Sequence, residues 1–465
     1  MTQDMSVAAV VLAAGIGKRM KSRVPKVLHP VLGRPMLSYV INAVRGISPK
    51  KIIVVVGQGR GDVRESVSAK DVHFAEQKVQ LGTGHAASCA RKELEGFRGN
   101  IIILNGDFPL ITTKSLKHLI RRHENDRADV SFLTAEIDSP SGYGRVFRNR
   151  KGEVERIIEE KDASPADKKI TEINSGTYCV KSGFLWEALN GVRPGNRQKE
   201  FYLTDIIEIA KKGSRKIQGV LSRDGSEALG VNDRVQLSEV EALLKKRVND
   251  SLMRAGVSLV DPGTTFISPD VEIGADSVIY PNTYIYGKTV IGRGSSIGPG
   301  VWIEDSILGN GVTVRMSTYI SKALIRDKVT IGPFAHIRPE VEIMDGAKIG
   351  NFVEIKKSRI GSGSKVPHLS YVGDAVIGKD VNIGAGSITC NYDGFLKHET
   401  VIDDDVFIGS DTMLVAPVRI GKGATTGAGS TITKDVPEGA LAIGRAKQTV
   451  IESWNRKPRE EKAKK

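Results

Sequence analysis

The sequence predicts two domains of unlike class in one chain, an α/β domain on a largely parallel sheet followed by a parallel β-helix. Three observations predict this. Residues 1 to about 230 alternate short β-branched or apolar runs with helix-like stretches, the pattern of strands crossed over by helices. From Ile267 onward, isoleucines recur six residues apart without a break through Ile273, Ile279, Ile285, Ile291, Ile297 and Ile303. The chain has 465 residues, too many for one ordinary core.

In order along the first half, Ala8–Leu12, Lys51–Val56, Asn100–Leu104, Val130–Ala135 and Thr177–Val180 read as strands. Met36–Arg45 and Leu116–Arg122 read as helices between them. In such sheets ligands bind at the carboxyl ends of the strands. Val235, Val240, Leu244, Val248 and Leu252 then recur at helical spacing with charges between them, which predicts one amphipathic connecting helix. The expected divisions are therefore 1–231, a linking helix over 232–254, and 255–465.

A period of six fits neither an α-helix nor an alternating strand; it is the repeat of a parallel β-helix. Further series run from Ile325 to Ile355, through Ile360, Val366 and Val372, and through Ile402, Ile408, Leu414 and Ile420. Every sixth side chain points inward, coils stack at ~4.8 Å, and small residues permit tight corners. These isoleucines build the rod and do no chemistry. Function is expected where the period fails, at "SKVPHLSYVGD" and more severely at "TCNYDGFLKHET", because an insertion in a solenoid must loop outward.

Composition excludes several classes. The longest apolar runs, such as Ile52–Val56, are far too short to span a membrane. The N-terminus carries no apolar leader core. Three scattered cysteines give no paired metal spacing, as expected for a reducing cytoplasm. The net charge of +14 raises nucleic-acid binding, but aromatics are only 5% and the cations are dispersed apart from the tail "RKPREEKAKK". Small polyanionic substrates account for the surplus instead.

The turn "LAAGIGKRM" follows the first strand. It is neither a P-loop nor a dinucleotide fingerprint, since Met20 stands where the third glycine belongs. Its glycines let backbone N–H groups approach an anion, and Lys18, Arg19 and Lys26 add charge beside them. Alone, Asp107 could be a turn aspartate, Asn232 a helix N-cap and Lys26 a surface lysine.

The pattern L-A-A-G-x-G-x-R-M…P-K resembles the signature of sugar-1-phosphate nucleotidyltransferases, and "EQKVQLGTGHA", "LNGDFP", "GYGR", "EEKDA", "INSG" and "GVNDR" follow in that family's order. With the repeats attached, residues 6 to about 450 resemble the bacterial bifunctional uridyltransferase/acetyltransferases of UDP-N-acetylglucosamine synthesis, which serves peptidoglycan and lipopolysaccharide. That resemblance implies a Rossmann-like domain and a left-handed β-helix. It implies acetylation of glucosamine 1-phosphate by acetyl-CoA, then reaction of N-acetylglucosamine 1-phosphate with UTP, releasing pyrophosphate. Arg19 and Lys26 would face the phosphates, and Asp107 with Asn232 would hold Mg2+. Leu12, Ala13, Ala14, Gly15, Gln77, Gly82, Thr83, Asn105, Gly106, Gly144, Glu159 and Asn174 would bind nucleotide and sugar. Asn105 stands where much of the family has an aromatic residue.

On the rod, the resemblance implies His368 as general base, with His336 and His398 as second choices. Arg338, Lys356, Tyr371, Asn382 and Lys397 would hold the amino sugar phosphate. Ala385, Asn391, Tyr392, Ser410, Ala428 and Arg445 would contact acetyl-CoA. It further implies a cytoplasmic homotrimer with shared acetyl-transfer sites, and neither nucleic-acid nor membrane partners. Two other readings are a single-activity ADP- or GDP-sugar enzyme with a regulatory rod, and a non-catalytic interaction protein.

Overall fold

A computed structural model describes residues 6–454 apart from 58–60 and 68, so the basic tail at 456–465 lies outside the described residues. The chain divides into two compact units, Met1–Arg247 and Val248–Lys465. The division falls inside the linking helix, which runs over Arg234–Arg254.

In the first unit the strands of the nine-stranded sheet are β1 (Val7–Ala13), β2 (Ile52–Gly57), β3 (Val72–Gln77), β4 (Asn100–Asn105), β5 (Val130–Glu136), β6 (Arg145–Arg148), β7 (Val154–Ile158), β8 (Glu172–Lys181) and β9 (Ile217–Leu221). The main sheet has the order β9-β5-β8-β4-β1-β2-β3, with β6 and β7 added beside β8. β1 pairs in parallel with β2 and β4, β2 with β3, and β5 with β9. β8 runs antiparallel to β4, β5 and β6, and β6 to β7. The expectation of a largely parallel sheet is thus corrected to a mixed one.

Alternation along β1, β2 and β4 sends successive side chains to opposite faces. Val10, Ile53, Val55, Ile101 and Ile103 join one core with α3 (Thr83–Cys89), α5 (Ser182–Gly191) and α6 (Asp205–Lys212). Val11, Ile52, Val54, Ile102 and Leu104 join the other with α1 (Met36–Arg45), α2 (Gly61–Val67) and α4 (Thr113–Asn125). The chain leaves β1 toward β2 and β3 and returns on its other side as β4. The resulting switch point opens a crevice at the carboxyl ends of β1 and β4.

On α4, His123 is wholly buried, and its Nδ1 lies 2.9 Å from the Ser131 hydroxyl. Burial pushes its imidazole pKa down to about 4, with Lys181 adding to the shift and Asp129 opposing it. Unfolded histidine titrates near ~6.5, so the unfolded chain binds more protons between the two values. Stability from this group is complete above pH ~6.5 and is lost as the pH falls toward 4, by about 3 kcal/mol. The urea midpoint of the wild type should fall across that window, and His123→Phe should flatten the dependence.

The second unit is a parallel β-helix of three ladders, with eleven strands from Ser258–Leu259 to Leu441–Ala442, ten from Phe266–Ile267 to Thr431–Ile432 and nine from Glu272–Ile273 to Val418–Ile420. The inward isoleucines form one continuous core. Register links Ile279, Ile297, Val314, Ile331, Ile349 and Val366 coil by coil. One-residue slips bring Leu308, Val314 and Ile320 inward where the six-residue count lapses. The supposed first break is corrected: Val366 and Val372 remain buried in the strands Lys365–His368 and Tyr371–Gly373. The second break is an outward loop, with Tyr392 bridged to Lys397 and Phe395 91% exposed. Corners also use bulky residues at positive φ, notably Phe334, Phe352 and Leu369. There, inter-coil hydrogen bonds such as Leu369 N–H to Asn351 O at 3.0 Å hold the turn.

Candidate functional site

At the strand tips of the first unit lies a cavity of about 710 Å3 lined by Leu12, Ala13, Ala14, Gly15, Lys26, Gln77, Gly82, Thr83, Asn105, Asp107, Gly144, Glu159, Asn174 and Asn232. Arg19 reaches the same place, its guanidinium donating to Asn232 Oδ1 at 2.8 Å. Gly106 is not among the lining residues; its N–H donates to the Leu12 carbonyl at 2.9 Å and ties the two strand ends together.

The turn is shaped so that Arg19 and Lys26 meet Asp107 and Asn232. Gly17 has φ +67°, and a Cβ there would sit 2.7 Å from Lys26 Cβ, so glycine lets Lys26 pack beneath the turn. The Lys26 ammonium forms an ion pair with Asp107 and lies 3.4 Å from Asn232 Oδ1. The helix cap is Asp233, whose carboxylate accepts the Gln236 N–H at 3.0 Å. The Asn232 side chain therefore serves the cleft rather than the cap. Asp107 and Asn232 present oxygen donors to one ammonium, and hence to one point. This donor set fits a hard divalent cation whose other places go to phosphate and water. Among the described residues no group of three His, Cys, Asp or Glu side chains forms a fuller cation site.

Gly82 has φ +109°, and a Cβ would meet the Phe201 carbonyl at 2.5 Å, so only glycine lets this loop lie against the chain before α6. On the far wall, the Asn174 amide donates to the Tyr178 hydroxyl at 2.7 Å. Glu159 accepts from the Thr204 hydroxyl at 3.1 Å. Burial raises the Glu159 carboxyl above its ordinary range, opposed by the Thr204 bond and aided by Asp205, Asp162 and Glu200. The sequence reading missed Tyr143, Gly176 and Lys161, which also line the cavity.

On the rod, the singled-out residues fall on successive coils. Arg338 follows the strand His336–Ile337, and Lys356 and Tyr371 belong to the next two strands of that ladder. Lys397, on the outward loop, lies beside Lys356, whose ammonium lowers the Lys397 pKa. Converging like charges favour an anion between them. The Tyr371 hydroxyl and Asn391 amide both lie over Gly373, and Asn391 donates to the buried Asp374. The loop is knitted by Asp393, which accepts the Phe395 and Leu396 N–H groups at 2.7 Å each.

His368 ends a strand of the adjacent ladder and is exposed. Its Nδ1 is 2.7 Å from Asn351 Oδ1, one coil earlier in register. An amide oxygen only accepts, so Nδ1 carries a proton, and in the neutral ring the lone pair is on Nε2. The second-choice histidines are otherwise engaged: His398 Nε2 contacts Asp393 at 2.7 Å, and His336 packs edge-on to Tyr319. Asn382 lies on the His368 ladder, opposite Lys365. Register places Ile383, Ile408, Thr426 and Ala442 in line, so Ala385 and Ser410, with Ala428 two residues past Thr426, form a column along the rod. Arg445 closes it, donating to the Ala428 carbonyl at 2.6 Å. Tyr392 stands apart on the exposed loop, its hydroxyl on the Gly394 carbonyl at 2.6 Å. Among the described residues no hydrogen bond or ion pair links His368 to Arg338, Lys356 or Lys397.

A cation-lined crevice at the switch point of an α/β sheet, followed by a hexapeptide β-helix, defines a nucleotidyltransferase joined to a hexapeptide-repeat transferase. The model of the MobA-like NTP transferase domain matches residues 9–165, that of the bacterial transferase hexapeptide (six repeats) matches 270–305 and 399–434, and that of the GMPPB C-terminal domain matches 319–415. The Bifunctional protein GlmU of Geotalea uraniireducens is 49% identical over 97% of this chain and 99% of its own length. Its namesakes in Halalkalibacterium halodurans and Syntrophomonas wolfei are 48% and 50% identical, each over 96% of this chain and 98% of their own. The chain belongs to this GlmU family of bifunctional proteins.

Proposed function

We infer that this chain is a bifunctional enzyme of UDP-N-acetylglucosamine synthesis, a glucosamine-1-phosphate N-acetyltransferase and an N-acetylglucosamine-1-phosphate uridyltransferase. Full-length likeness to the bifunctional relatives carries this reading. The meeting of Arg19, Lys26, Asp107 and Asn232 in one cleft supports the assignment of residues.

In the uridyl step, a phosphate oxygen of N-acetylglucosamine 1-phosphate attacks the α-phosphorus of UTP, and the bond to the β-phosphate breaks. Such transfer depends on positioning and charge neutralisation. Arg19 and Lys26 face the phosphates, with Arg19 beside the departing pyrophosphate. Asp107 and Asn232 would hold Mg2+, which when bound neutralises and orients the triphosphate. Leu12 to Gly15, Asn105 and the Gly106 backbone border the nucleotide. Gln77, Gly82 and Thr83 face the base, and Gly144, Glu159 and Asn174 face the sugar.

In the acetyl step, the neutral amine of glucosamine 1-phosphate attacks the thioester carbon of acetyl-CoA, and the C–S bond breaks. His368 Nε2 takes the amine proton, and Asn351 keeps that nitrogen free. Arg338, Lys356 and Lys397 hold the sugar phosphate, while Tyr371 and Asn382 orient the ring. Ala385, Ser410, Ala428 and Arg445 form the track for acetyl-CoA, with Asn391 and Tyr392 at its edge. The enzyme works in the cytoplasm as a trimer. No helix of the described residues is long and apolar enough to cross a membrane.

Two product assays on the purified chain test the reading. Glucosamine 1-phosphate with acetyl-CoA should release free CoA thiol. UTP with N-acetylglucosamine 1-phosphate and Mg2+ should release pyrophosphate. Failure of either removes that activity from the assignment.

A further inference from the structure

We infer that His85 is a specificity-determining positioning residue: together with the Gly82 carbonyl it locks the Gln77 amide so that only the amide oxygen faces the cleft, selecting a base that offers an N–H donor there. The inference rests on the reading that Gln77 faces the nucleobase.

Gln77 is the last residue of β3 and is 3% exposed, yet it lines the cavity. Its Nε2 carries two hydrogens, and two acceptors take them. The Gly82 carbonyl lies at 3.1 Å and His85 Nδ1 at 3.0 Å. A carbonyl only accepts, so the amide cannot turn over without setting two oxygens against each other. This fixes the ring as well: His85 Nδ1 must accept, so the imidazole is neutral with its proton on Nε2. His85 is itself held in the first turn of α3, where its ring packs at 6.4 Å from Phe201. The Phe201 carbonyl in turn accepts the Gly84 N–H at 2.8 Å, and its N–H donates to Leu81 at 2.7 Å. Loop, helix and chain therefore clamp one amide.

With its amino group spent inside the protein, Gln77 offers the cleft an acceptor alone. Uracil carries a hydrogen on N3 and can donate to it. Cytosine has a lone pair on N3 and would meet oxygen with nitrogen, both unpaired. A site built to hydrogen-bond one partner rejects the analogue lacking the donor more strongly than an apolar pocket does. His85 thus acts through Gln77, without touching the substrate.

The test compares pyrophosphate release from UTP and from CTP, with N-acetylglucosamine 1-phosphate and Mg2+, in the full chain. His85→Phe keeps the ring against Phe201 and removes the acceptor. Its kcat/KM for UTP should fall about tenfold, mostly through KM, with CTP little changed, so that the UTP/CTP ratio falls by the same factor. His85→Gln, whose carbonyl can accept from Gln77, should restore most of the ratio. An unchanged far-UV circular dichroism spectrum and an unchanged thermal transition of the first unit report that each variant is folded. If His85→Phe slows both nucleotides equally or leaves the ratio unchanged while Gln77→Ala lowers it, the positioning role is wrong. If Gln77→Ala also leaves the ratio unchanged, the base-facing reading of Gln77 is wrong, and the inference fails with it.

Discussion

Asp107→Ala is expected to lower UDP-sugar formation by about three orders of magnitude while leaving acetyl transfer within about twofold of wild type. The expectation follows from two losses at one point. The carboxylate is one of two oxygen donors converging at the tip of β4, and it also pairs with Lys26. Without it the cleft has one neutral donor, Asn232, already shared by Arg19 and Lys26. Two cationic groups beside a triphosphate, Arg19 and Lys26, then lack the acid that organises them. Asp107→Asn, which keeps an oxygen but not the charge, should fall between. Pyrophosphate release at saturating UTP and Mg2+ measures the loss. Retained uridyl transfer would remove Asp107 from the phosphate site. Loss of both activities together would contradict two separate sites.

His368→Ala should show the converse, with acetyl transfer reduced about 10²- to 10⁴-fold and uridyl transfer unaffected. The drop should appear in kcat, because the sugar phosphate is held by Arg338, Lys356 and Lys397 rather than by the imidazole. Residual activity should rise with pH as more amine becomes neutral by itself. Asn351→Ala keeps the base but releases its tautomer, and should cost less than His368→Ala. Free-thiol release from acetyl-CoA at several pH values separates the cases. Full acetylation by His368→Ala would move the base elsewhere on the rod.

The parts of this account that were legible in the sequence are those written in local pattern. The turn from Leu12 to Met20 and Asp107 sit at strand ends, and Asn232 at a helix start, that periodicity locates, whereas Lys26 and the roles of these residues were legible only through the family resemblance of their motifs. The inward isoleucines were legible for the same reason. What stayed hidden depends on partners. Val72–Gln77 carries His73, Glu76 and Gln77 on a sheet edge, with the alternation of an exposed strand, so it lacks the apolar run that marks β1 and β4. Glu172–Lys181 continues through "INSG", which reads as a turn; the register shifts between Asn174 and Tyr178. Strand direction is set by tertiary pairing, so the antiparallel β8 was illegible. Coils of 17 residues hid Leu308, Val314 and Ile320, and they hid Asn351 too, which meets His368 only across one such coil. In the same way, eight residues and a strand-to-helix turn separate Gln77 from His85.

The most direct measurement of the central claim, two separate reactions in series on one chain, follows a carbon label. Acetyl-CoA labelled with 13C in its carbonyl is mixed with glucosamine 1-phosphate, UTP, Mg2+ and the purified protein, and UDP-sugars are resolved by mass. The account predicts labelled UDP-N-acetylglucosamine in the complete mixture, labelled N-acetylglucosamine 1-phosphate when UTP is omitted, and no UDP-N-acetylglucosamine when acetyl-CoA is omitted. Absence of label from the UDP-sugar, with both substrates present and the protein folded, would contradict it.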